Sequence, residues 1–441
     1  MNFLEAEQFL LSLRNIPRKD FIKKNKNCQI CLDRLNYFLS FLGNPQNKIP
    51  HYIHITGTSG KGSLTTYLHS ILHTAGKKVG STQSPHPTKI TEHWKVATKN
   101  MTDKEFVNIV KIIKVALEKY ISSNKYDIIS YSEVLTAIGL LFFYQKNVEW
   151  AIIEVGLGGR YDSTNIIPNK DIAIITNIGL DHEKSIGPTK KAITYEKSGI
   201  IKPNTKIFTM VSDTKLLNII NNECKKNIAD IKIIKKNNFK IINFSINKTQ
   251  FNYLDNEYVL TTPGIHQINN ALIAIEVSKY LNIPINTIKK GLANTKQILR
   301  LELFYKNQII LDGAHNKDKM KSTVDFIKKI NEKNEKNIHI LIGFSENKKY
   351  KQMIKMILDL NPKSIAISRN TNNPFRKVAS PIDIKKECNK KNTNNTLHVF
   401  VDPEKALDWS MKKIKKNDIL LITGSIFLSG QIRPLLTKMK L

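Results

Sequence analysis

Seven residues, Gly57-Thr58-Ser59-Gly60-Lys61-Gly62-Ser63, follow directly on the apolar run YIHIT (52–56). That run is too short for a helix and reads as a buried strand, with a helix expected after the glycines to about Thr74. Strand, Gly-rich turn and helix in this order make an anion cradle. Glycines let the backbone wrap a phosphate, so that main-chain N–H groups and the helix N-terminus face it. Lys61 would neutralise β- and γ-phosphates, and Ser63 could offer its hydroxyl to Mg²⁺. The strict string G-x-x-x-x-G-K-[ST] is not met: Ile55 stands where its first glycine would be, and Gly62 separates Lys61 from Ser63. The plain alternative is a Gly/Ser turn with a stray lysine, which the strand-loop-helix setting disfavours.

The same alternation continues along the chain. VGSTQ starts a further strand, and EWAIIEV (149–155) and DIAIIT (171–176) are Ile/Val-rich runs bounded by turn residues. Helices between such runs imply a parallel sheet, so the fold class is α/β. From about 205 to 262 the pattern shifts, and KIINFSINKTQFNYLDNEYVLTT alternates as antiparallel hairpins do. Helices are expected at about 268–280 and on to about Gly291. After Arg300 the runs QIILDGAHN, NIHILIGF, KSIAISR, LHVFVD and DILLITGS resume the strand-helix alternation, as a second Rossmann-like domain would. A chain of 441 residues exceeds one ordinary core. Two domains are expected, 1–298 and 299–441, the first with a small added β-sheet.

Composition narrows the partners. The formal net charge of +32 raises nucleic acid or an anionic membrane. The lysines are spread through runs such as KNKN, NEKNEKN and NKKNTNNT rather than gathered in one stripe. No aromatic-interleaved basic motif or helix-turn-helix signature accompanies them, so no nucleic-acid partner is expected. The longest apolar run, Val134 to Tyr144, has the length of a buried helix rather than of a membrane span. The N-terminus carries Glu5 and Glu7 and reads as a packed helix, not a secretory signal, which favours the cytoplasm. Cys28 and Cys31 form a C-x-x-C with no second ligand pair, and chance spacing is preferred to zinc or redox chemistry.

Further polar residues stand at the ends of the expected strands, where ligands bind in parallel α/β sheets. Ser84-Pro85-His86 alone is a turn. Glu154, ahead of Gly156-Leu157-Gly158-Gly159-Arg160, suits Mg²⁺ as an oxygen ligand or serves as a structural ion pair. His182 closes Thr176-Asn177-Ile178-Gly179-Leu180-Asp181-His182. Lys197 lies in Glu196-Lys197-Ser198-Gly199, one lysine among many. Asp312, in Asp312-Gly313-Ala314-His315-Asn316, could hold a ribose or a metal-bound water, or cap the next helix. The strand ends are expected to converge on one edge of the sheet.

Taken together, these segments resemble the folylpolyglutamate synthase/dihydrofolate synthase branch of the Mur ligase superfamily. The likeness runs in order over nearly the whole chain: LGNPQ (42–46), GTSGKGS, SPH (84–86), Glu92, YSEVLTA (131–137), EVGLGGRYDSTN (154–165), TNIGLDH (176–182), EKSGIIKP (196–203), PGIHQINNA (263–271), RLE (300–302), DGAHN (312–316) and TGSIFL (423–428). The chain departs from the family pattern at Ser59, usually Asn, at Pro87 after His86, at His93 after Glu92, and at Ile298-Leu299 before the arginine.

The resemblance implies a P-loop ATPase-type domain followed by a Rossmann-like domain that closes over ATP and presents the amino acid. It implies ligation of L-glutamate to a folate or dihydropteroate through an acyl phosphate, giving ADP and phosphate. Ser59, Gly60, Lys61 and Gly62 would cradle the ATP phosphates, with Asn270, Arg300, Asp312 and His315 as further nucleotide contacts. Ser63, Ser84, Glu154 and His182 match its Mg²⁺ positions, and Lys197 matches a lysine that is carbamoylated in the superfamily and would hold a second ion. Catalytic roles fall to Lys61, His182 and Lys197. The pterin side would draw on Thr82, Gln83, Ser130, Tyr131, Ser132, Glu133, Tyr161, Asp162 and Ser163. Small-molecule partners only and a monomer are expected. Two rivals stay open. One is a peptidoglycan-type Mur ligase, whose loop carries Thr where Gly62 stands. The other is a P-loop protein that binds nucleotide without catalysis.

Overall fold

The computed structural model describes residues 1–14, 28–86, 88–168, 170–236, 238–332, 335–346, 348–372, 377–390 and 396–439. Pro87, the KNKN run and most of NKKNTNNT lie outside them. The chain packs as two compact units, Met1–Asn238 with Asn269–Asn294, and Phe239–Ile268 with Thr295–Leu441.

The first unit is built on eight strands: β1 (His51–Thr56), β2 (Val79–Thr82), β3 (Trp94–Val96), β4 (Lys99–Asn100), β5 (Trp150–Glu154), β6 (Ile172–Ile175), β7 (Lys206–Thr209) and β8 (Asp230–Ile233). Their order is β4-β3-β2-β5-β1-β6-β7-β8. The strands from β2 to β8 run parallel, and β3 and β4 are antiparallel at one edge. β5 and β6 are buried along their whole length because helices cover both faces, which is why they read as continuous apolar runs. β2, β5, β1 and β6 are neighbours, so their C-terminal ends lie side by side and carry the loops after Thr82, Glu154, Thr56 and Ile175.

Three helices set the surroundings. Lys61–Thr74 follows β1 directly. Tyr131–Gln145 is apolar nearly all round and buried, as its composition requires. It opens on a capping box in which Ser130 and Glu133 exchange hydrogen bonds. Near the N-terminus the helix Phe3–Ser12 buries Ala6 and Leu10 completely. The C-x-x-C sits at a helix start, with Cys28 as the N-cap of Gln29–Ser40.

The second unit holds β9 (Lys240–Phe244), β10 (Thr249–Tyr253) and β11 (Asn256–Leu260), an antiparallel sheet in the order β11-β10-β9. It also holds a six-stranded sheet of β12 (Glu302–Phe304), β13 (Ile309–Leu311), β14 (Ile338–Ile342), β15 (Ser364–Ile367), β16 (Thr396–Val399) and β17 (Ile419–Thr423). Its order is β12-β13-β17-β14-β15-β16, parallel except for β12. The fold is α/β with a large parallel-rich sheet and a second mixed one. The hairpin pattern expected from 205 begins only at 240, because β7 and β8 extend the parallel sheet of the first unit. β8 escaped notice because, as an edge strand, it exposes most of its residues and has no continuous apolar run. Among the described residues no helix is long and apolar enough to cross a membrane.

Candidate active site

The turn after β1 is shaped by two glycines with positive φ. Gly57 has φ 148°, and a β-carbon there would lie 1.8 Å from Thr176 Oγ1. Gly60 has φ 87°, and its β-carbon would lie 2.3 Å from Asn270 Oδ1. Only glycine fits either place. The strand end after β6 holds the turn from the other side. Asn177 O accepts from Thr58 N at 3.1 Å and Asn177 Oδ1 from Ser59 N at 2.9 Å, while Thr176 Oγ1 donates to Ser59 O at 2.7 Å. Thr58 Oγ1 bonds both the N–H and the carbonyl of Gly179, at 2.9 and 3.1 Å.

Gly60 is the N-cap of Lys61–Thr74 and brings no side-chain acceptor, so the first amides of the helix face outward as an anion site does. Lys61 Nζ donates to Gly57 O at 2.9 Å, which holds its charge over the turn. A Gly60→Ala variant is expected to weaken nucleotide binding about tenfold or more, since the strained backbone and the displaced Asn270 cost of order 1–3 kcal/mol. Calorimetric titration with ADP measures this, and unchanged affinity would contradict the geometry.

Glu154, at the end of β5, is only 7% exposed. Its Oε2 accepts from Ser84 N at 3.3 Å and would lie 3.4 Å from a β-carbon on Gly62. The carboxylate therefore adjoins the first helical turn, where Ser63 is buried. Among the described residues no group of three or more His, Cys, Asp or Glu side chains is arranged to hold a metal. One carboxylate and a hydroxyl, completed by phosphate oxygens and water, is the donor set that Mg²⁺ takes when it arrives with a nucleotide. His182 is exposed, left-handed at φ 53°, and its Nε2 lies 3.9 Å from Asp181 Oδ1.

Lys197, on the helix Lys190–Ser198, is 4% exposed. Burial, then the charge of Lys61, lowers its pKa to about 7, against the pull of Asp181, Asp162 and Glu196. This helix is stapled to the Gly-rich loop after β5. Arg160 N donates to Glu196 O at 2.7 Å, and a β-carbon on Gly159 would meet that carbonyl at 2.8 Å.

Several residues expected on the pterin side have their polar atoms engaged within the fold. Thr82 Oγ1 accepts from Glu154 N at 3.1 Å, and Gln83 Nε2 donates to Gly62 O and Thr66 Oγ1 at 3.0 and 2.6 Å. Glu133 forms a buried, bidentate pair with Arg34, the closest approach 2.9 Å, besides closing the Ser130 cap. Tyr131 lies under the Arg14 guanidinium at 4.2 Å. Ser132 Oγ meets Ser130 Oγ at 3.1 Å, and Ser163 Oγ meets Thr136 Oγ1 at 2.7 Å. Burial raises the Tyr161 hydroxyl above its usual pKa.

In the second unit Asp312 is buried and does not cap the next helix, whose N-cap is Asn316. It accepts from Leu301 N, Ala314 N and Thr323 Oγ1 at 3.1, 2.9 and 2.8 Å. Arg300 Nη1 donates to Leu299 O at 3.0 Å. His315 Nδ1 meets Gly313 O at 2.8 Å, and burial, with Lys319 next, holds its pKa well below the usual value. Asn177 and Asp181 went unassigned in the sequence; both lie in the segment after β6, the position that carries function in such sheets.

The comparisons with known proteins agree over the whole length. Residues 55–278 match the Mur ligase middle domain, and residues 299–436 match the family described as dihydrofolate synthetase, C-terminal domain. The chain is 30% identical over 421 residues to the dihydrofolate synthase/folylpolyglutamate synthase of Bacillus subtilis, covering 91% of this chain and 94% of that one. Folylpolyglutamate synthase from Thermotoga maritima superposes with a TM-score of 0.82 at 28% identity, covering 99% and 97% of the two chains. The Mycobacterium tuberculosis folylpolyglutamate synthase, solved with ADP, shares the fold at a TM-score of 0.84 and 22% identity, covering 98% of each chain. With the phosphate turn, the buried Glu154 and the enclosed Lys197 in place, the chain belongs to the dihydrofolate synthase/folylpolyglutamate synthase family of Mur ligases.

Proposed function

We propose that this chain joins L-glutamate to folate-type acids at the expense of ATP, working on both dihydropteroate and reduced folates. The observation that carries the reading is the turn at Gly57–Lys61, clamped by Thr176, Asn177 and Asn270 beside Glu154. The carboxylate of the acid attacks the γ-phosphorus of ATP, and ADP leaves. The glutamate amine then adds to the acyl phosphate, phosphate departs, and an amide remains. No enzyme nucleophile is needed, so positioning and charge carry the rate. Lys61 and the first amides of its helix hold the phosphate charge as it develops.

Mg²⁺, when bound with the nucleotide, would spread that charge further. Glu154, Ser63, Ser84 and His182 are the residues that would hold it, and a carbamate on Lys197 would serve a second ion. Glu154→Gln should raise the Mg²⁺ concentration needed for half-maximal ligation; an unchanged requirement would remove Glu154 from the set. On the acid side the exposed Ser132 and the half-buried Tyr161 and Ser163 are better candidates for direct contact than the buried Ser130 and Glu133, their hydroxyl contacts within the fold being ones a ligand could replace. Ser130 and Glu133 act by holding the helix that carries them.

The preference for two acid substrates rests on SYSE (130–133) and YDST (161–164) standing together in one segment set. ADP release with dihydropteroate, tetrahydrofolate and a UDP-muramoyl acid, each with glutamate, tests all of this. Turnover of the first two is expected. Tetrahydrofolate alone would make the enzyme a polyglutamate synthase only, and the muramoyl substrate alone would overturn the reading.

A further inference from the structure

His54 lies in the middle of β1, fully buried, with Nε2 2.9 Å from Thr164 Oγ1. Thr164 Oγ1 is in turn 2.5 Å from Asp162 Oδ1, which also accepts from Thr164 N at 3.0 Å. Asp162 Oδ1 is the acceptor in both contacts, so the threonine hydroxyl donates to it and accepts from the histidine. This fixes His54 as the Nε2–H tautomer and leaves Nδ1 an acceptor, in keeping with that buried atom's lack of a hydrogen-bond partner among the described residues. Burial, reinforced by the charges of Lys170 and Lys202, keeps the ring neutral. The second carboxylate oxygen of Asp162 accepts from Leu157 N at 2.8 Å. Two residues further along β1, Thr56 Oγ1 donates to Gly158 O at 2.7 Å. β1 therefore carries the phosphate turn at its end and also grips the 156–164 loop from within.

We propose that His54 and Thr164 are positioning residues for the acid substrate: they form a one-directional hydrogen-bond chain that fixes the Asp162 carboxylate and the loop bearing Tyr161 and Ser163. This deepens the proposed function and rests on its assignment of that loop to the acid side. His54 is wholly enclosed and the Thr164 hydroxyl is taken up by the chain, so in this proposal both act through Asp162. A buried hydrogen bond to a charged group is worth enough that its loss misplaces the carboxylate it holds.

The test uses the full chain with His54→Leu, His54→Gln, Thr164→Val, Thr164→Ser, the Leu/Val double variant and Asp162→Asn. In His54→Leu and Thr164→Val, KM for dihydropteroate should rise about tenfold. Their kcat should stay within about twofold, with KM for ATP unchanged. The double variant should be no worse than either single one, since the chain is broken once. Thr164→Ser, which keeps the hydroxyl, and His54→Gln, which keeps a donor, should restore most of the loss. Equal rises in KM for ATP and dihydropteroate, a Thr164→Ser enzyme as poor as Thr164→Val, or multiplying effects in the double variant would each overturn the proposal. Thermal midpoints measured alongside separate a displaced loop from an unfolded one. An unaltered dihydropteroate KM in Asp162→Asn would also overturn it. A wild-type enzyme that ligates no folate-type acid would instead overturn the function on which it rests.

Discussion

Lys61→Ala is expected to lower ligation by about a thousandfold or more, since one lost charge contact to a transferring phosphoryl group in a water-poor site is worth several kcal/mol. Fold stability should barely change. Lys61 is partly exposed at the first turn of its helix, and its one identified hydrogen bond goes to Gly57 O. Alanine favours the helix at this position as much as lysine does. Single-turnover measurement of ADP formation, beside a thermal melt, reads both outcomes. A folded Lys61→Ala protein with full activity would remove the phosphate turn from the mechanism.

Lys197→Ala should be nearly as damaging, with ligation falling about a hundredfold. Part of the activity should return on adding acetate or propionate, whose two oxygens replace those of a carbamate. The pH dependence follows from the pKa of about 7. Carbon dioxide adds only to the neutral amine. Below pH 7 the amine is mostly protonated, so carbamate formation and activity should fall as pH drops through 7. Added bicarbonate should move this limb to lower pH. The groups facing the amine are Lys61, which favours the neutral form, and Asp181, Asp162 and Glu196, which oppose it. Activity that survives in Lys197→Ala, or a loss that no carboxylate relieves, would leave Lys197 as a buried structural lysine.

What the sequence could reveal followed from how strongly each segment's chemistry constrains its structure. β1, β5 and β6 were readable because parallel strands covered on both faces are short, buried and mostly apolar, their few polar residues such as His54 and Glu154 notwithstanding. The Gly57 and Gly60 turn was readable because its backbone admits no side chain. The edge strand β8 and the short hairpin of β3 and β4 carry no such signature. Side-chain roles were harder. Ser130 and Glu133 look alike in sequence whether they meet a ligand or form a capping box, and the buried partner of Glu133 is Arg34, from a distant segment. Asn177 shows the reverse case. Its amide oxygen holds Ser59 across 118 residues of chain, a contact that no local pattern announces.

The place of β1 between β5 and β6 bears on how the enzyme is made. Ile55 pairs with Glu154 and Thr56 with Ile175, and Gly60 closes on Asn270, so the phosphate turn is assembled from strands synthesised far apart in time. A ribosome-bound chain that has emerged only as far as the helix after β1 carries the whole Gly-Lys sequence yet lacks the partners that shape it. Such non-local pairing is slow, because loop closure must be met before contacts reward it. Nucleotide affinity should therefore appear late in synthesis, no earlier than the emergence of Asn270, rather than growing gradually from the moment the Gly-Lys turn is made. ATP would then stabilise only chains that have already joined β1 to both neighbours, which makes the nucleotide a selector for correctly threaded sheets.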